Sequence, residues 1–177
     1  SKLEEVVKRL EEIVRRVKRA DEESLKRTRK IVEEVNRDNR RSLKESRDRV
    51  DELKKRVDDD DVVRRLDRLI EESEKLVRDV ERDNKRIIEE SEELVRRSAE
   101  MNRKTLEEVK DLVRKSDTDE VVKRIEEVAK RNEELNRETV KRDEDLVREA
   151  KRRNEETVER DKRLVEKITK EVDETKK

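Results

Sequence analysis

Residues 69–77 read LIEESEKLV, and the same pattern returns at 87–95 as IIEESEELV and at 105–113 as TLEEVKDLV. The repeat is 18 residues long, which corresponds to five turns of an α-helix at about 3.6 residues per turn. When the apolar residues of this segment are placed on a helical wheel, they fill an arc of about 120°. An arc of that width is typical of a helix that packs against two neighbouring helices.

The repeat extends over the rest of the chain. Similar units begin at residues 6, 24 and 42 and again at 121, 139 and 157. A 7-residue repeat gives a left-handed supercoil and an 11-residue repeat a right-handed one. Because 18 is the sum of these two periods, we expect long, nearly straight helices.

The composition excludes many kinds of chemistry. Of 177 residues, 53 are Lys or Arg and 53 are Asp or Glu, and Gly, Pro, Cys, His and aromatic residues are all absent. The absence of Gly and Pro argues against sheets, long loops and Gly-rich phosphate-binding loops. Without Cys there are no disulfides or thiol nucleophiles, and without His the usual metal ligand and general base are missing. So many charges would suggest disorder, but the regular apolar stripe favours a packed bundle.

The same composition bears on partners and location. A chain without aromatic residues has no stacking platform for single-stranded nucleic acid. Its formal net charge of zero gives no overall attraction to nucleic acid or to anionic membranes. Because no apolar run exceeds two residues, we expect no transmembrane span and no signal peptide. The expectation is a soluble protein, cytoplasmic if it is made recombinantly, that binds neither nucleic acid nor membrane.

The pattern is interrupted twice, at 58–61 and at 116–119. The first break is four consecutive Asp residues, and Asp is a poor helix former but a good N-cap. At the second break, Glu120 is placed to form a capping box with Asp117, and Glu4 has the same spacing from Ser1. The prediction is one all-α domain over 1–177, an antiparallel, up-down-up three-helix bundle with helices at 2–57, 62–115 and 119–175.

Short turns make consecutive helices antiparallel neighbours, and this fixes an expected register. The first turn is centred between residues 59 and 60 and the second at 117. Facing residues of the first two helices should therefore have numbers that add to about 119, and those of the last two about 234. The innermost positions then form three layers: Leu10 with Val109 and Ile125, Thr28 with Ser91 and Asp143, and Ser46 with Ser73 and Asp161.

The same register places further polar residues in the interior. The sets are Asp21 with Ser98 and Asn136, Asn102 with Asn132, Ser24 with Thr139, Ser42 with Thr157, and, displaced by about one turn, Asn39 with Asn84 and Asn154. A hydroxyl can donate to a carboxylate, which only accepts, so these sets predict a buried hydrogen-bond network that specifies helix register. The alternative for Asp143 and Asp161 is a rotated third helix that leaves both carboxylates in solvent.

Other roles for these polar residues have less support. A hard cation prefers about six or more oxygen ligands, and each layer supplies one carboxylate. Asp143 and Asp161 are about 27 Å apart along a helix, which is too far for a glycosidase pair. The basic run at 151–153 is balanced by nearby Glu and is typical of a solvated face. We therefore predict no enzyme activity and no catalytic, cofactor or metal site.

The sequence combines five features: regular 18-residue units, Glu/Lys/Arg surfaces, Leu/Ile/Val layers, internal Ser/Thr/Asn residues and Asp/Ser/Thr loops. In these respects the whole chain resembles de novo designed helical bundles with buried hydrogen-bond networks on parametrically generated backbones. It departs from them because such designs usually carry Gly or Pro in their loops, and because the third helix is unusually polar. The resemblance implies a monomeric scaffold with no evolved activity, no cofactor and no required partner.

Two alternatives stay open. One is a designed helix-binding module or switch, in which a partner helix displaces the C-terminal helix. The other is a natural, highly charged α-helical protein of the lipid-surface or desiccation type. That class predicts an imperfect repeat with scattered Gly or aromatic residues, which this sequence lacks.

Overall fold

A computed structural model shows three α-helices in element order: α1 (Lys2–Lys55), α2 (Asp60–Lys115) and α3 (Asp119–Thr175). The structure describes residues 2–115 and 119–175, and no strand occurs in them. Each helix contacts the other two. The predicted class, an all-α three-helix bundle, is confirmed.

The first turn lies two residues earlier than predicted, at 56–59 instead of 58–61, and α2 begins two residues earlier. Asp59 caps this helix: its Oδ1 accepts a hydrogen bond from the Asp61 N–H at 2.9 Å, and its carbonyl accepts one from the Val63 N–H at 3.1 Å. The first N–H groups of a helix have no partner within the helix, and an Asp side chain can accept from them. Asp59 therefore allows α2 to begin at the next residue, Asp60, and not at the predicted position 62.

The end of α1 also differs from the prediction, since the helix stops at Lys55 and not at 57. Two short-range hydrogen bonds follow it, from the Arg56 N–H to the Leu53 carbonyl at 3.1 Å and from the Val57 N–H to the Lys54 carbonyl at 3.3 Å. Bonds of this spacing tighten the last turn of a helix and satisfy carbonyls that would otherwise lack a partner. The predicted capping signals at Ser1 and Asp117 lie outside the described residues.

Contacts divide the chain into two compact units, each with a segment of every helix. Unit 1 contains Ser1–Arg29 and Ile88–Leu146, and unit 2 contains Lys30–Ile87 and Val147–Lys177. The assignment of 1–177 to a single domain stays a prediction. Each unit has its own apolar cluster and its own buried polar side chains.

The apolar cluster of unit 1 contains Leu3, Leu10, Val109, Ile125 and Val128. It includes the predicted layer of Leu10, Val109 and Ile125, one residue from each helix. Val109 and Ile125 have no exposed surface, and full burial of one such side chain stabilises a fold by about 1.5–3 kcal/mol. The predicted register is thus realised at this end of the repeat.

The apolar cluster of unit 2 contains Val50, Leu53, Leu66 and Ile168. Val50 and Leu53 belong to the last turns of α1, and Leu66 belongs to the second turn of α2. The cluster therefore packs the two sides of the first turn against α3. This burial holds the short connection 56–59 in place.

Ion pairs between α1 and α2 follow a single register. They are Glu11–Lys110 and Arg29–Glu92 in unit 1, and Arg40–Glu81, Arg47–Glu74 and Lys54–Asp67 in unit 2. In all five pairs the two residue numbers add to the same total, two above the predicted 119. Surface ion pairs contribute only about 0–1 kcal/mol each, so they report the register and do not account for it.

Candidate functional site: the buried polar layers

Nearly half of the buried side chains are polar. Among the described residues, 16 apolar and 14 polar or charged side chains are buried. The buried polar set consists of Asp21, Thr28, Asn39, Ser46, Ser73, Asn84, Ser91, Ser98, Asn102, Asn132, Asn136, Asp143, Thr157 and Asp161. All of them belong to the predicted interior set, and its other members, Ser24, Ser42, Thr139 and Asn154, are half-buried. Because unpartnered burial of polar groups is costly, the partners of these groups decide what the interior does.

Asp143 joins all three helices of unit 1. It is 2% exposed, so the alternative in which α3 turns this carboxylate into solvent is wrong. Its Oδ1 accepts a hydrogen bond from the Ser91 hydroxyl at 2.7 Å, and its Oδ2 accepts one from the Ser24 hydroxyl at 3.0 Å. The predicted second donor was Thr28, which is buried but does not bond Asp143. Ser24 lies one helical turn before Thr28, on the same face of α1, and takes its place.

In the two predicted pairs between α1 and α3, Ser24 with Thr139 and Ser42 with Thr157, the Thr hydroxyls bond within their own helix. Thr139 donates to the Leu135 carbonyl at 3.1 Å, and Thr157 donates to the Arg153 carbonyl at 2.8 Å. Thr hydroxyls often bond the carbonyl one turn earlier in their own helix. Thr139 is thereby satisfied within α3, which leaves Ser24 available to Asp143.

A second polar layer of unit 1 contains the predicted set of Asp21, Ser98 and Asn136. The Ser98 Oγ lies 2.8 Å from the Asp21 Oδ2 and 2.9 Å from the Asn136 Oδ1. The Asn136 Nδ2 lies 3.4 Å from the Oδ1 atoms of both Asn102 and Asn132, at the long limit for a hydrogen bond. These five side chains form one connected chain of polar contacts through the interior.

The proton count in this layer depends on whether Asp21 is protonated. A hydroxyl carries one proton, so Ser98 cannot donate to the carboxylate and to the Asn136 Oδ1 together. When Asp21 is protonated, it donates to Ser98, and Ser98 donates to Asn136. Burial raises the pKa of Asp21, the Ser98 hydrogen bond lowers it, and the charge of Asp143 raises it further, with a net upward direction.

Asp161 is the corresponding carboxylate of unit 2, and it lacks the donors that Asp143 has. It is 1% exposed, so the solvated alternative is wrong here too. Ser46 and Ser73, its predicted partners, are also buried, yet neither carboxylate oxygen has a hydrogen-bond partner of ordinary geometry in the described residues. Burial raises the pKa of Asp161, while the neighbouring Ser73 hydroxyl and the Arg160 guanidinium pull it down.

The three amides predicted to converge in unit 2 do not bond one another. The Asn84 Nδ2 donates instead to the Asn36 Oδ1 at 2.7 Å. Neither amide atom of Asn39 has a partner among the described residues, and the Oδ1 of Asn154 also lacks one. Asn36 is the residue that sequence reasoning missed. Its number and that of Asn84 add to within one of the predicted 119, whereas Asn39 misses that total by four, so the register itself carried the signal.

The basic run at 151–153 is paired with acidic groups. Arg153 lies 2.7 Å from Asp83 on α2 and 3.3 Å from Glu149, and Arg152 lies 3.9 Å from Glu156. These contacts agree with the interpretation of this run as a solvated, charge-balanced face.

Comparison with known proteins offers no relative. No family model matches the sequence, and neither a curated protein nor a solved structure shows significant similarity to it. In 2–115 and 119–175, no group of three or more acidic side chains is arranged to hold a metal ion. None of the three helices, over its described part, has a stretch apolar enough to span a membrane.

A double-mutant cycle tests the corrected partner of Asn84. Asn36→Ala and Asn84→Ala should show a coupling energy of about 0.5–1.5 kcal/mol, because each change removes the partner of the other. The matched cycle of Asn39→Ala with Asn84→Ala should give a coupling within about 0.5 kcal/mol of zero. Urea denaturation of the six proteins measures both values, and a larger coupling for Asn39 would restore the convergent arrangement.

Asp161→Asn tests the unpartnered carboxylate of unit 2. The folded chain binds the Asp161 proton more tightly than the unfolded chain does. The contribution of Asp161 to stability should therefore fall as the pH rises from 3.8, the ordinary pKa of an Asp side chain, through the raised pKa of the folded state. The variant lacks this loss. Its free energy of unfolding, relative to wild type, should therefore grow with pH over that window and level off on either side.

Urea denaturation at a series of pH values measures this difference. Asp51→Asn, at an exposed position of α1, is the control and should stay within about 0.5 kcal/mol of wild type. A relative stability of Asp161→Asn that falls with rising pH would show that the carboxylate is stabilised as the anion.

Proposed function

We propose that this chain is a structural scaffold of the designed-bundle type, a monomer whose buried polar layers specify the register of its three helices. The observation that supports this most directly is the pair of hydroxyl hydrogen bonds to Asp143, from Ser91 on α2 and Ser24 on α1. A buried carboxylate that accepts hydrogen bonds from two other helices holds α3 at one position along both of them. It has a clear value as an alignment device.

Apolar packing alone leaves the register of such a repeat ambiguous. The stripe recurs with components of seven and eleven residues, so a helix that slips by eleven residues still places apolar side chains against apolar side chains. Asp21 does not tolerate a slip of α2 by eleven residues, because Ile87 or Val109 would then replace Ser98 opposite this carboxylate. An unpartnered buried charge costs several kcal/mol, which exceeds the differences that apolar layers provide.

Spin-label distances test this role. The sequence has no Cys, so Arg97→Cys with Arg137→Cys gives one label on α2 and one on α3 of unit 1, both at exposed positions. The native protein should show one narrow distance. A variant with both polar layers of unit 1 made apolar should remain folded, since complete replacement of a buried polar network is often stabilising; its substitutions are Asp21→Leu, Ser24→Ala, Ser91→Ala, Ser98→Ala, Asn102→Leu, Asn132→Leu, Asn136→Leu and Asp143→Leu. It should add a population displaced by about 16 Å, the rise of eleven residues.

The control removes a surface contact in the same unit. Arg142 lies 2.9 Å from Glu90, and replacing both by Ala should leave a single distance. If the apolar variant keeps the native distance alone, the polar layers do not set register. Light scattering at micromolar concentration should give the mass of one chain, and a dimer as the main species would overturn the monomer.

A second candidate function is helix exchange at α3, and one observation favours it. Of the seven buried polar atoms without a hydrogen-bond partner in the described residues, four belong to α3: Asn132 Nδ2, Asn154 Oδ1 and both carboxylate oxygens of Asp161. Each such atom weakens the hold of the bundle on this helix. A partner helix with apolar residues at these positions would then compete with α3.

Hydrogen exchange distinguishes this candidate from the rigid scaffold. If α3 can be displaced, its amides should exchange together at a free energy below that of global unfolding, while α1 and α2 stay protected. A synthetic α3 peptide with Leu in place of Asp161 should then be incorporated by the full chain. Equal protection of the three helices would leave only the rigid scaffold.

A further inference from the structure

A cleft opens between α1 and α3 of unit 1. Its volume is about 470 Å³, within the range of about 300–1,000 Å³ that small-molecule sites occupy. Ile13, Val17 and Val140 are among the residues that line it. The cleft thus offers aliphatic walls large enough for a short organic chain.

The innermost lining residues are Asp21 and Asn136, the two that are buried. The Asp21 Oδ2 is engaged by Ser98, whereas its Oδ1 makes no hydrogen bond with any described residue. One carboxyl oxygen therefore remains free to accept a hydrogen bond from an occupant of the cleft.

The charges inside the bundle are all of one sign. The buried charged side chains of the described chain are Asp21, Asp143 and Asp161, and no Lys or Arg is buried with them. Asp21 and Asp143 share unit 1 and repel each other when both are ionised. A cation at the inner end of the cleft would give Asp21 the counter-ion that the chain does not supply.

The mouth of the cleft carries mixed charges. Arg16, Arg137 and Lys141 lie there with Glu133 and Glu144, so the ionised Asp21 makes the lining neutral overall. The mouth therefore selects neither anions nor cations strongly. Selection falls to the inner end, where the free Asp21 oxygen is an acceptor only.

We propose that this cleft binds a small organic ammonium ion with a short aliphatic chain. The ammonium group donates to the Asp21 Oδ1, and the chain packs on Ile13, Val17 and Val140. Hydrogen bonds to charged groups are worth about 1.5–3 kcal/mol, which corresponds to roughly tenfold to a hundredfold in affinity. A neutral ligand of the same shape would keep the packing contacts and lose the affinity that comes from the charged hydrogen bond.

Binding should depend on pH in a defined direction. An alkylammonium ion stays protonated up to about pH 10, whereas Asp21 must lose its proton to pair with it. Burial and Asp143 raise the pKa of Asp21 against the Ser98 hydrogen bond. The charged groups around the cleft are those of the mouth, together with Asp143 on α3. Affinity should therefore increase as pH rises through the Asp21 titration and level off above it.

Three probes of equal length separate charge from packing: n-pentylammonium, 1-pentanol and pentanoate. Amide NMR titrations at neutral pH should show pentylammonium shifting residues 13–21 and 133–144, pentanol binding at least about tenfold more weakly, and pentanoate binding more weakly still. Equal affinity for pentylammonium and pentanol, or no shift at millimolar pentylammonium, would overturn the proposal.

Two variants and one control locate the site. Asp21→Asn should weaken pentylammonium by at least about tenfold and leave pentanol unchanged. Ala20→Leu fills the mouth without touching the carboxyl group, and it should weaken both ligands. Asp161→Asn alters a buried Asp of unit 2 and should change neither. The cleft is not the site if either variant, Asp21→Asn or Ala20→Leu, is folded and binds pentylammonium with the same affinity as the native chain.

Discussion

The hydrogen bond from the Ser91 hydroxyl to the Asp143 carboxylate is the contact on which unit 1 depends. With the second bond, from Ser24, it links one residue of each helix through a single buried group. A repeating apolar stripe offers more than one matching register, but a buried carboxylate that loses its donors is strongly destabilising. In the scaffold that we propose, the register of the surrounding apolar layers is coupled to this one polar contact.

The two units use similar polar residues with different outcomes. In unit 1, Asp21 and Asp143 each have at least one hydroxyl partner, and the Asn136 Nδ2 lies 3.4 Å from the Oδ1 atoms of Asn102 and Asn132, although the Asn132 Nδ2 has no partner in the described residues. In unit 2, Asp161 and Asn39 are buried without partners in the described residues. The polar groups of unit 1 thus offset the cost of their burial, while those of unit 2 retain more of it. Unit 2 compensates at the first turn, where Leu53 and Leu66 are almost fully buried.

Much of the interior could be predicted from sequence, because helical periodicity and short turns fix which positions face inward. The apolar layer of Leu10, Val109 and Ile125 and the contact between Asp21 and Ser98 follow from that register alone. The partner of Asn84 was not predicted. The prediction paired Asn84 with Asn39, which is displaced from the register by about one turn, whereas the register itself favoured Asn36. The donor to Asp143 also did not follow, because Ser24 and Thr28 share a face of α1 and only side-chain reach distinguishes them.

The sequence by itself determined the helices, their approximate ends, the inward face of each and the burial of its polar residues. These depend on a local period of 3.6 residues and on the high cost of exposing an apolar stripe. The tertiary structure decided which inward polar atoms meet: Ser24 with Asp143, Asn36 with Asn84, and no donor of ordinary geometry for Asp161. A hydrogen bond requires its two atoms to approach within about 3 Å, and a repeat pattern places side chains only to within a helical turn.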